Sequence, residues 1–253
     1  MSTADEVRLP GPVPRWEVPE WRSRFGLVAG VTGRGNPAEP FDLGLWGSQP
    51  SGKIMTHWRA FLADLPGYRS AILAHQVHGT NVLWHEARGS GWTLLEGADG
   101  HLTADAGQYL LVTVADCVPV YLAAPKHGVV GLLHAGWRGT VSGILPAALA
   151  LLRSVGNIVP ADVVMHCGVA ISGNRYQVGD EVLRAAGQAR PDGGPGPLDL
   201  RQLLQQQAQK AGVAEVSVSG HCSADPAGAF FSHRGSGGQD GRMVAYLGRP
   251  LAS

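Results

Sequence analysis

The sequence predicts a single α+β domain with mixed sheets. Its 253 residues are enough to bury one large hydrophobic core. Segments with helical spacing of apolar residues and segments typical of strands follow one another without strict alternation, which argues against a doubly wound parallel sheet. No internal repeat at solenoid spacing is present. We expect residues 1–22 to form an extended N-terminal arm and residues 23–253 to form the domain itself.

The N-terminal half combines strands with one helix. Four prolines among the first nineteen residues predict the extended arm. Residues 36–52 are rich in Gly, Pro and Ser and are expected to form a long loop. Apolar spacing predicts a helix over 53–65, which ends before Pro66. Strands are predicted at 25–32, 70–77, 81–86 and 108–115.

The C-terminal half is organised around a predicted hairpin. The apolar runs 118–124 and 129–134 flank Pro125-Lys126-His127-Gly128, a typical turn sequence. We predict that 190–197 and 235–241 are disordered or mobile. Beyond the hairpin, helices are predicted at 140–155, 179–189 and 199–211, and strands at 162–167, 214–219 and 243–247.

Composition restricts the class of function. The formal net charge is zero, which argues against a nucleic acid or an anionic membrane bound through bulk charge. Three cysteines without a Cys-x-x-Cys pair indicate a reducing compartment rather than a disulfide framework. The N-terminus lacks the features of a signal peptide, and no apolar run is long enough to cross a bilayer. We expect a cytoplasmic protein with a small-molecule substrate, and the oligomeric state stays open.

The predicted hairpin places a thiol and an imidazole on one face of a sheet. If residues 125–128 close a four-residue loop, Ala124 pairs with Val129 and Pro119 faces His134. Cys117 and His134 are then diagonal neighbours on the same face, whereas a shift of one residue would separate them. A thiolate and two imidazoles with an open fourth position are typical of catalytic zinc.

The third donor has two candidates in His75-Gln76-Val77-His78-Gly79. Three residues apart in an extended chain, the two histidines point to opposite faces, so only one can join the site. We favour His78, because it lies at a strand end before Gly79. Lone His and Cys residues in apolar strands are more often packed core. The shared face of Cys117 and His134, with Asp116 beside the thiol, favours a metal site.

Two arginines are candidate anion-binding residues. The segment 134–140 leads from a strand into a helix and carries Arg138, so that free N–H groups and a guanidinium could bind phosphate or carboxylate. A helix cap with a surface arginine is the alternative. Arg34, between Gly33 and Gly35, has the same two interpretations. The pairs His166-Cys167 and His221-Cys222 are interpreted as mainly structural, because strand neighbours point to opposite faces.

These motifs resemble the YfiH family, also called the laccase-domain or multicopper polyphenol oxidase family. The similarity runs from about Val28 to Leu247, and its ADC-x-P and HAGWRG pieces are highly specific. The matching segments are HQVHG (75–79), ADGHLT (98–103), TVADCVPVYL (113–122), GLLHAGWRGTV (131–141), CGVAISGNRYQVGDEV (167–182), DLRQLLQQQ (199–207), HCSADPAGAFFSHR (221–234) and GRMVAYL (241–247).

The resemblance implies a four-layer α/β/β/α sandwich with mixed sheets. It also implies that zinc is held by His78, Cys117 and His134, and that Arg138 and Arg34 lie in the substrate or phosphate pocket. Bacterial members are described as purine nucleoside phosphorylases with adenosine deaminase activity, and some as peptidoglycan-editing factors. This chain departs from the family's Tyr-Glu-Val, since Gln177 stands in place of the glutamate and removes a carboxylate near the site.

We therefore expect a zinc-dependent purine nucleoside phosphorylase that converts adenosine and phosphate to adenine and ribose 1-phosphate. Adenosine deaminase and methylthioadenosine phosphorylase activity are further expectations. Arg138 would hold phosphate, and Asp116 or Asp99 would shuttle a proton. Three alternatives stay open: a copper polyphenol oxidase, which the lack of any His-x-His pair disfavours, a Cys117-dependent hydrolase acting on an amide or a peptidoglycan fragment, and a binding module with a structural metal.

Overall fold

The computed structural model describes residues 2–47, 49–87 and 89–252. Its strands are β1 (Ser2–Thr3), β2 (Val7–Arg8), β3 (Arg15–Glu17), β4 (Val28–Thr32), β5 (Gly35–Asn36), β6 (Glu39–Pro40), β7 (Ser70–His75), β8 (Val82–His85), β9 (Gly91–Glu96), β10 (Gly100–Thr103), β11 (Gln108–Val114), β12 (Val118–Ala124), β13 (Val129–Ala135), β14 (Val164–Cys167), β15 (Gln177–Val178), β16 (Gly196–Pro197), β17 (Glu215–Val218) and β18 (Met243–Gly248). Its helices are α1 (Pro19–Phe25), α2 (Ser51–Ala63), α3 (Trp137–Ser142), α4 (Ile144–Gly156), α5 (Asp180–Ala185) and α6 (Leu200–Ala211).

Two seven-stranded mixed sheets dominate the structure. The first sheet has the order β1-β17-β14-β12-β13-β10-β8, and the second has the order β2-β3-β4-β18-β11-β7-β9. Each sheet combines antiparallel pairs with parallel ones, such as β14 with β17 and β7 with β11. The short pairs β5–β6 and β15–β16 lie outside both sheets. The mixed sheets confirm the predicted fold class.

Three apolar layers hold the sheets and helices together. Between the sheets, Tyr121 and Leu132 of the first sheet pack against Val112 and neighbouring residues of the second. On the outer face of the first sheet, α4 and α6 bury their apolar sides. Helix α2 covers the outer face of the second sheet through Trp58 and Phe61. The order helix, sheet, sheet, helix follows from these layers. None of the helices in the described ranges combines the length and apolar character needed to span a membrane.

The central hairpin confirms the predicted register. Ala124 pairs with Val129, and Pro119 pairs with His134. Residues Pro125–His127 form a short 3-10 turn that ends at Gly128, whose φ of 65° lies in the left-handed region that favours glycine. The loop length therefore fixes which side chains of β12 and β13 share a face.

The N-terminal segment differs from the extended arm expected over residues 1–22. From Ser2 onward it contains β1, β2 and β3, which add strands to an edge of each sheet, and α1 already begins at Pro19. Val13 and Trp21 are buried in the core, and the Glu6 carboxylate is buried beside His166. Pro10, Pro12 and Pro14 lie between β2 and β3, and Pro19 is the first residue of α1, where no backbone N–H donor is needed.

Several predicted elements have different boundaries. The helix expected over 140–155 is two helices, α3 and α4, separated at Gly143 with a φ of 93°. The segments expected to be disordered or mobile contain defined structure: Gly196 and Pro197 form β16, residues 235–238 form turns, and residues 237–241 line the cavity described below. The strands β9 and β10 and the two-residue strands β5, β6, β15 and β16 were not predicted. All of them except β9 have four residues or fewer, and β9 lacks an alternation of apolar and polar residues.

A candidate metal centre and its cavity

Three soft donors meet at one end of the central hairpin. The ligand atoms of His78, Cys117 and His134 all lie within 4.8 Å of one another. The rings of His78 and His134 are edge-to-face, with centroids 4.8 Å apart. His134 is buried, and His78 is the most exposed of the three. The structure thus brings together the three residues expected as metal ligands.

The open end of the hairpin places Cys117 and His134. Cys117 directly precedes β12, and His134 is the second-to-last residue of β13. Gly136 follows β13, and a Cβ at this position would lie 3.1 Å from both the Cys117 Sγ and the His78 Cδ2. A side chain here would press on two of the three donors, so glycine leaves them the room that they occupy.

Asp99 shapes the turn that carries His78. Its carboxylate accepts hydrogen bonds from the backbone N–H groups of Val77, His78 and Gly79 at 3.2, 2.9 and 2.8 Å. Within this turn His78 adopts a φ of 60°, so the chain is not extended between His75 and His78 as the sequence suggested. His75 ends β7 and His78 reaches the donor cluster from the turn.

Asp99 also orients His134. The His134 Nδ1–H donates to the Asp99 Oδ1 at 2.9 Å. Burial tends to raise the pKa of Asp99, but the hydrogen bonds from His134 and from the Gly79 N–H lower it below its usual value. An ionised carboxylate only accepts hydrogen bonds, so the proton of a neutral His134 lies on Nδ1 and the Nε2 lone pair is left for a metal.

The thiol and the buried histidine favour each other's charged form. Burial opposes a charge on either group, yet the positive His134 lowers the pKa of Cys117, and His78 adds to this by a hydrogen bond. Conversely, the negative Cys117 and the Asp99 carboxylate raise the pKa of His134. A lowered thiol pKa increases the thiolate fraction, and the thiolate is the form that binds a metal.

The donor cluster forms one wall of a cavity of about 890 Å³. Three arginines are among the other lining residues, Arg138 from α3 and Arg234 and Arg242 from the C-terminal segment, together with Asp42, Asp116 and Asp240. Arg138 stacks over the Trp137 ring, 4.4 Å from its centroid, and Arg234 lies 5.0 Å from the Tyr176 ring centroid. A cavity with a soft-donor cluster and several guanidinium groups can hold a metal ion and an anion together.

Asp116 lines the cavity, and its carboxylate accepts three hydrogen bonds. The acceptor oxygens receive hydrogen bonds from the Ser223 and Ser232 hydroxyls, both at 2.7 Å, and from the backbone N–H of Arg234 at 2.6 Å. Its backbone has a φ of 91°. These contacts tie the turn before Cys117 to the C-terminal segment. The proton transfer expected of Asp116 stays a prediction.

Arg34 occupies a different place from the one expected. It is not among the described residues that line the cavity. Its guanidinium forms an ion pair with Asp240 and lies 4.8 Å from the Phe231 ring centroid. Asp240 in turn accepts from the Ser232 N–H at 2.9 Å. The half-buried Arg34 is thereby paired with an acid of the segment that carries Arg234 and Arg242.

Sequence reasoning missed several residues of the cavity. No role was predicted for Trp46, His233, Arg234 or Arg242, although SHR (232–234) and GRMV (241–244) belong to the segments quoted for the resemblance. Gln177 contributes through its backbone, because its carbonyl accepts from the Arg234 Nη1 at 2.5 Å.

The two adjacent His-Cys pairs lie away from the donor cluster. His166 is fully buried, where its Nδ1 lies 2.9 Å from the Ser217 hydroxyl and its Nε2 lies 3.3 Å from the Glu6 carboxylate. Cys167 packs in the apolar layer beneath α4 and α6. The Cys222 thiol accepts a hydrogen bond from the Ser172 hydroxyl at 3.1 Å.

Comparison with known proteins assigns the chain to a family. Residues 30–250 match the family model described as multi-copper polyphenol oxidoreductase laccase. The chain is 37% identical over 196 residues to a Geobacillus stearothermophilus protein named purine nucleoside phosphorylase YlmD, which covers 70% of this chain and 72% of that protein. It is 38% identical over 200 residues to a Deinococcus radiodurans protein named purine nucleoside phosphorylase, covering 76% of each.

Solved structures agree with this assignment. The crystal structure of YlmD from Geobacillus stearothermophilus superposes with a TM-score of 0.86 at 30% identity, covering 97% of this chain and 100% of that chain. The Bacillus licheniformis hypothetical protein YfiH superposes with a TM-score of 0.84 at 26% identity, covering 95% and 98%. The chain therefore belongs to the laccase-domain family, as its motifs suggested.

Proposed function

We propose that this laccase-domain protein is a zinc-dependent purine nucleoside phosphorylase, which converts adenosine and phosphate to adenine and ribose 1-phosphate. One observation carries the proposal: the donor cluster of His78, Cys117 and His134 and the guanidinium of Arg138 line the same cavity. The names of the two relatives described above support the reaction class. Three free cysteines support a cytoplasmic location, because free thiols persist in reducing compartments.

The donor set fits zinc. Two imidazoles and one thiolate leave a fourth tetrahedral position open, which is typical of catalytic zinc sites. A laccase needs several copper sites, and within the described ranges only one group of three such donors was found. When bound, zinc would supply a Lewis acid that polarises an oxygen of the substrate or of phosphate.

Arg138 is the group best suited to hold phosphate. Among the described residues it has no hydrogen-bonding or ion-pair partner for its guanidinium, which rests only on the Trp137 ring. By contrast, Arg234 donates to the Gln177 carbonyl, and Arg242 donates to the carbonyls of Asp240 and Gly241. A free guanidinium can bind two phosphate oxygens at once and stabilise charge as the glycosidic bond lengthens.

Tyr176 is a further group available to the substrate. It lines the cavity, and burial raises the pKa of its phenol, so the hydroxyl stays protonated at neutral pH. A protonated phenol can donate a hydrogen bond to a bound nucleoside. With Asp99 and Asp116 both engaged in hydrogen bonds, we assign them the positioning of His134 and of the C-terminal segment.

Two finer activities belong to the same proposal. Adenosine deamination requires a purine base beside a zinc site, and methylthioadenosine phosphorolysis requires only a different group at the ribose 5′ position. Both substrates would use the cavity described above. Each can be assayed with the same protein preparation, by following inosine or methylthioribose 1-phosphate.

The central test is phosphorolysis by zinc-loaded protein incubated with adenosine and phosphate. We expect wild type to release adenine and ribose 1-phosphate. In His78→Ala and Cys117→Ala we expect the rate of phosphorolysis to fall about 100-fold or more, because each variant lacks one proposed ligand of the metal. Matched controls are His127→Ala on the hairpin turn and Cys222→Ala, both outside the cavity. Equal product from wild type and both ligand variants would contradict the proposal.

Metal analysis separates the zinc proposal from its copper alternative. Purified protein should contain about one zinc per chain, and both ligand variants should contain much less. Copper near one equivalent with an intense blue absorption would instead favour an oxidase. Turnover that survives complete metal removal would favour Cys117 acting as a nucleophile.

A further inference from the structure

Trp46 is an aromatic side chain placed in the cavity without being part of the core. About 46% of its surface is exposed, whereas Trp58 and Trp21 are almost completely buried. It lines the same cavity as the donor cluster and Arg138. Other large apolar side chains are exposed too, but Trp46 presents a flat aromatic face within a mainly polar cavity, where a flat ligand group can stack on it.

The Trp46 ring is held from one side. It stacks on the His75 imidazole with ring centroids 4.7 Å apart and an angle of 25° between the planes. His75 ends β7, and its Nδ1 lies 3.1 Å from the Glu96 carboxylate on the paired strand β9. The second sheet therefore places the imidazole, which also lines the cavity, against one face of the indole.

The backbone before Trp46 is anchored as well. The Asp42 carboxylate accepts hydrogen bonds from the N–H groups of Gly44 and Arg242, both at 2.8 Å. A Cβ at Gly44 would come within 3.2 Å of the Arg242 side chain, so the chain passes close to the C-terminal segment. The residues on both sides of the stack are thus fixed, and the indole is presented on an ordered support.

The polar groups of the cavity determine which part of a ligand faces Trp46. The donor cluster and the guanidinium groups favour phosphate and the ribose hydroxyls, because these carry charge or many oxygen atoms. The base is the flat and least polar part of a nucleoside. Bases stack on aromatic side chains irrespective of their hydrogen-bonding edges, and a bicyclic purine overlaps an indole over a larger area than a pyrimidine does.

We propose that Trp46, supported from behind by His75, is the stacking platform for the base and selects purines over pyrimidines. This assignment rests on the proposed function, since it names the part of the same cavity that binds the base. In this arrangement Trp46 acts on substrate binding, and His75 is a positioning residue that acts through Trp46.

The test measures adenosine binding without turnover. Titration calorimetry of zinc-loaded protein with adenosine, in the absence of phosphate, compares wild type with Trp46→Ala and Trp46→Phe. We expect Trp46→Ala to weaken adenosine binding about 10-fold or more and to lower the ratio of adenosine to uridine affinity. Trp46→Phe retains an aromatic face and should stay within about 3-fold of wild type. His75→Ala should show an intermediate loss.

Further measurements distinguish stacking from a purely structural role of Trp46. Zinc content and the KM for phosphate should be the same in wild type and Trp46→Ala, because stacking affects only the base. Part of the tryptophan fluorescence quenching by adenosine should disappear in Trp46→Phe. The matched control is Leu94→Ala, which removes an exposed apolar side chain of β9 that lies outside the cavity lining.

The outcomes separate this inference from the proposed function. If wild type performs phosphorolysis but Trp46→Ala binds adenosine as tightly as wild type, the platform is wrong and the function stands. If adenosine binding depends on Trp46 but no phosphorolysis occurs, the platform stands and the function is wrong. If wild type does not bind adenosine at all, both are overturned.

Discussion

His101 and His134 are two buried histidines on neighbouring strands with opposite preferences for a proton. The strand β10 pairs with β13 so that His101 lies opposite Leu132, and His134 is two residues further along on the same face, between the sheets. Burial lowers the pKa of His101 to about 3, and the nearby His85 contributes to the lowering. The pKa of His134 is raised instead, although burial alone would lower it.

The difference comes from the neighbours and not from the depth of burial. His134 lies between the Asp99 carboxylate and the Cys117 thiol, both of which favour a positive ring. The Nδ1 of His101 lies 2.9 Å from the Nε2 of His85. The Nε2 of His101 has no hydrogen-bond partner among the described residues. A buried histidine thus becomes a candidate metal ligand where two acidic groups converge on it, and stays a neutral core residue two positions away.

The largest expected effect, on zinc affinity, comes from removing the Asp99 carboxylate, which hydrogen-bonds to His134 but not to His101. Asp99→Asn takes away the charge beside His134 and weakens the turn that presents His78. We expect zinc affinity to fall about 10- to 100-fold, as is common when the partner of a metal-ligating histidine is changed. Competition with a chelator measures this. Asp105→Asn, which affects a carboxylate near the other end of β10, is the control, and an unchanged zinc affinity in Asp99→Asn would contradict the comparison.

Metal removal is the next largest effect. A metal that binds only the folded protein should stabilise it by about 2.7 kcal/mol at a free concentration 100 times its Kd. Thermal unfolding with a chelator and after addition of zinc measures the change in Tm. The shift should vanish in Cys117→Ala and persist in Cys222→Ala. A zinc-induced shift of equal size in Cys117→Ala would place the metal elsewhere.

The lowered pKa of His101 predicts that the protein loses stability in acid. Its pKa of about 3 in the folded protein lies below the value of about 6.5 expected in the unfolded chain. Between these values only the unfolded chain takes up the proton, so the free energy of unfolding should fall as the pH is lowered from about 6.5 towards 3.

The variant His101→Leu isolates this contribution to the acid dependence. Urea unfolding between pH 4 and 7, with the metal chelated, should show a shallower pH dependence in His101→Leu than in wild type. The limiting difference in slope for one proton is about 1.4 kcal/mol per pH unit. Identical slopes in the two proteins would show that His101 is not the group responsible.

The smallest effect is expected from His85→Ala. It removes the hydrogen bond to His101 and the second imidazole that lowers the pKa of His101. We expect a loss of about 1 kcal/mol in stability at neutral pH and a smaller further loss in acid, because without His85 the pKa of His101 in the folded protein lies closer to its unfolded value. The same urea series measures both. A change in zinc affinity in His85→Ala would mean that the two histidine environments are coupled.

The donor cluster was predictable where short-range geometry determines it. The four-residue turn fixes the register of the hairpin, and the register places Cys117 and His134 on one face. The position of His78 follows from a turn built around Asp99, in which three N–H groups converge on one carboxylate. Nothing in the spacing of HQVHG reveals that turn, so the sequence could name His78 but not the residue that positions it.

Long-range contacts explain what the sequence did not reveal. Arg34 forms an ion pair with Asp240, and Asp116 accepts hydrogen bonds from residues more than a hundred positions away. Such partners decide whether a charged side chain faces a ligand or is neutralised inside the protein. The stacking of Trp46 on His75 likewise depends on a loop and a strand end whose proximity is set by the sheet.

The cavity has a consequence for folding, because its walls come from segments spread over most of the chain. Asp42 near the start bonds to the Arg242 N–H near the end, and the donor cluster needs three further segments between them. Contacts between residues so distant in sequence form late, because closing a long loop costs conformational entropy before the contacts that stabilise it are made. Zinc binding should therefore return only with the last refolding phase, after most secondary structure is in place, so metal uptake would report on the completed fold.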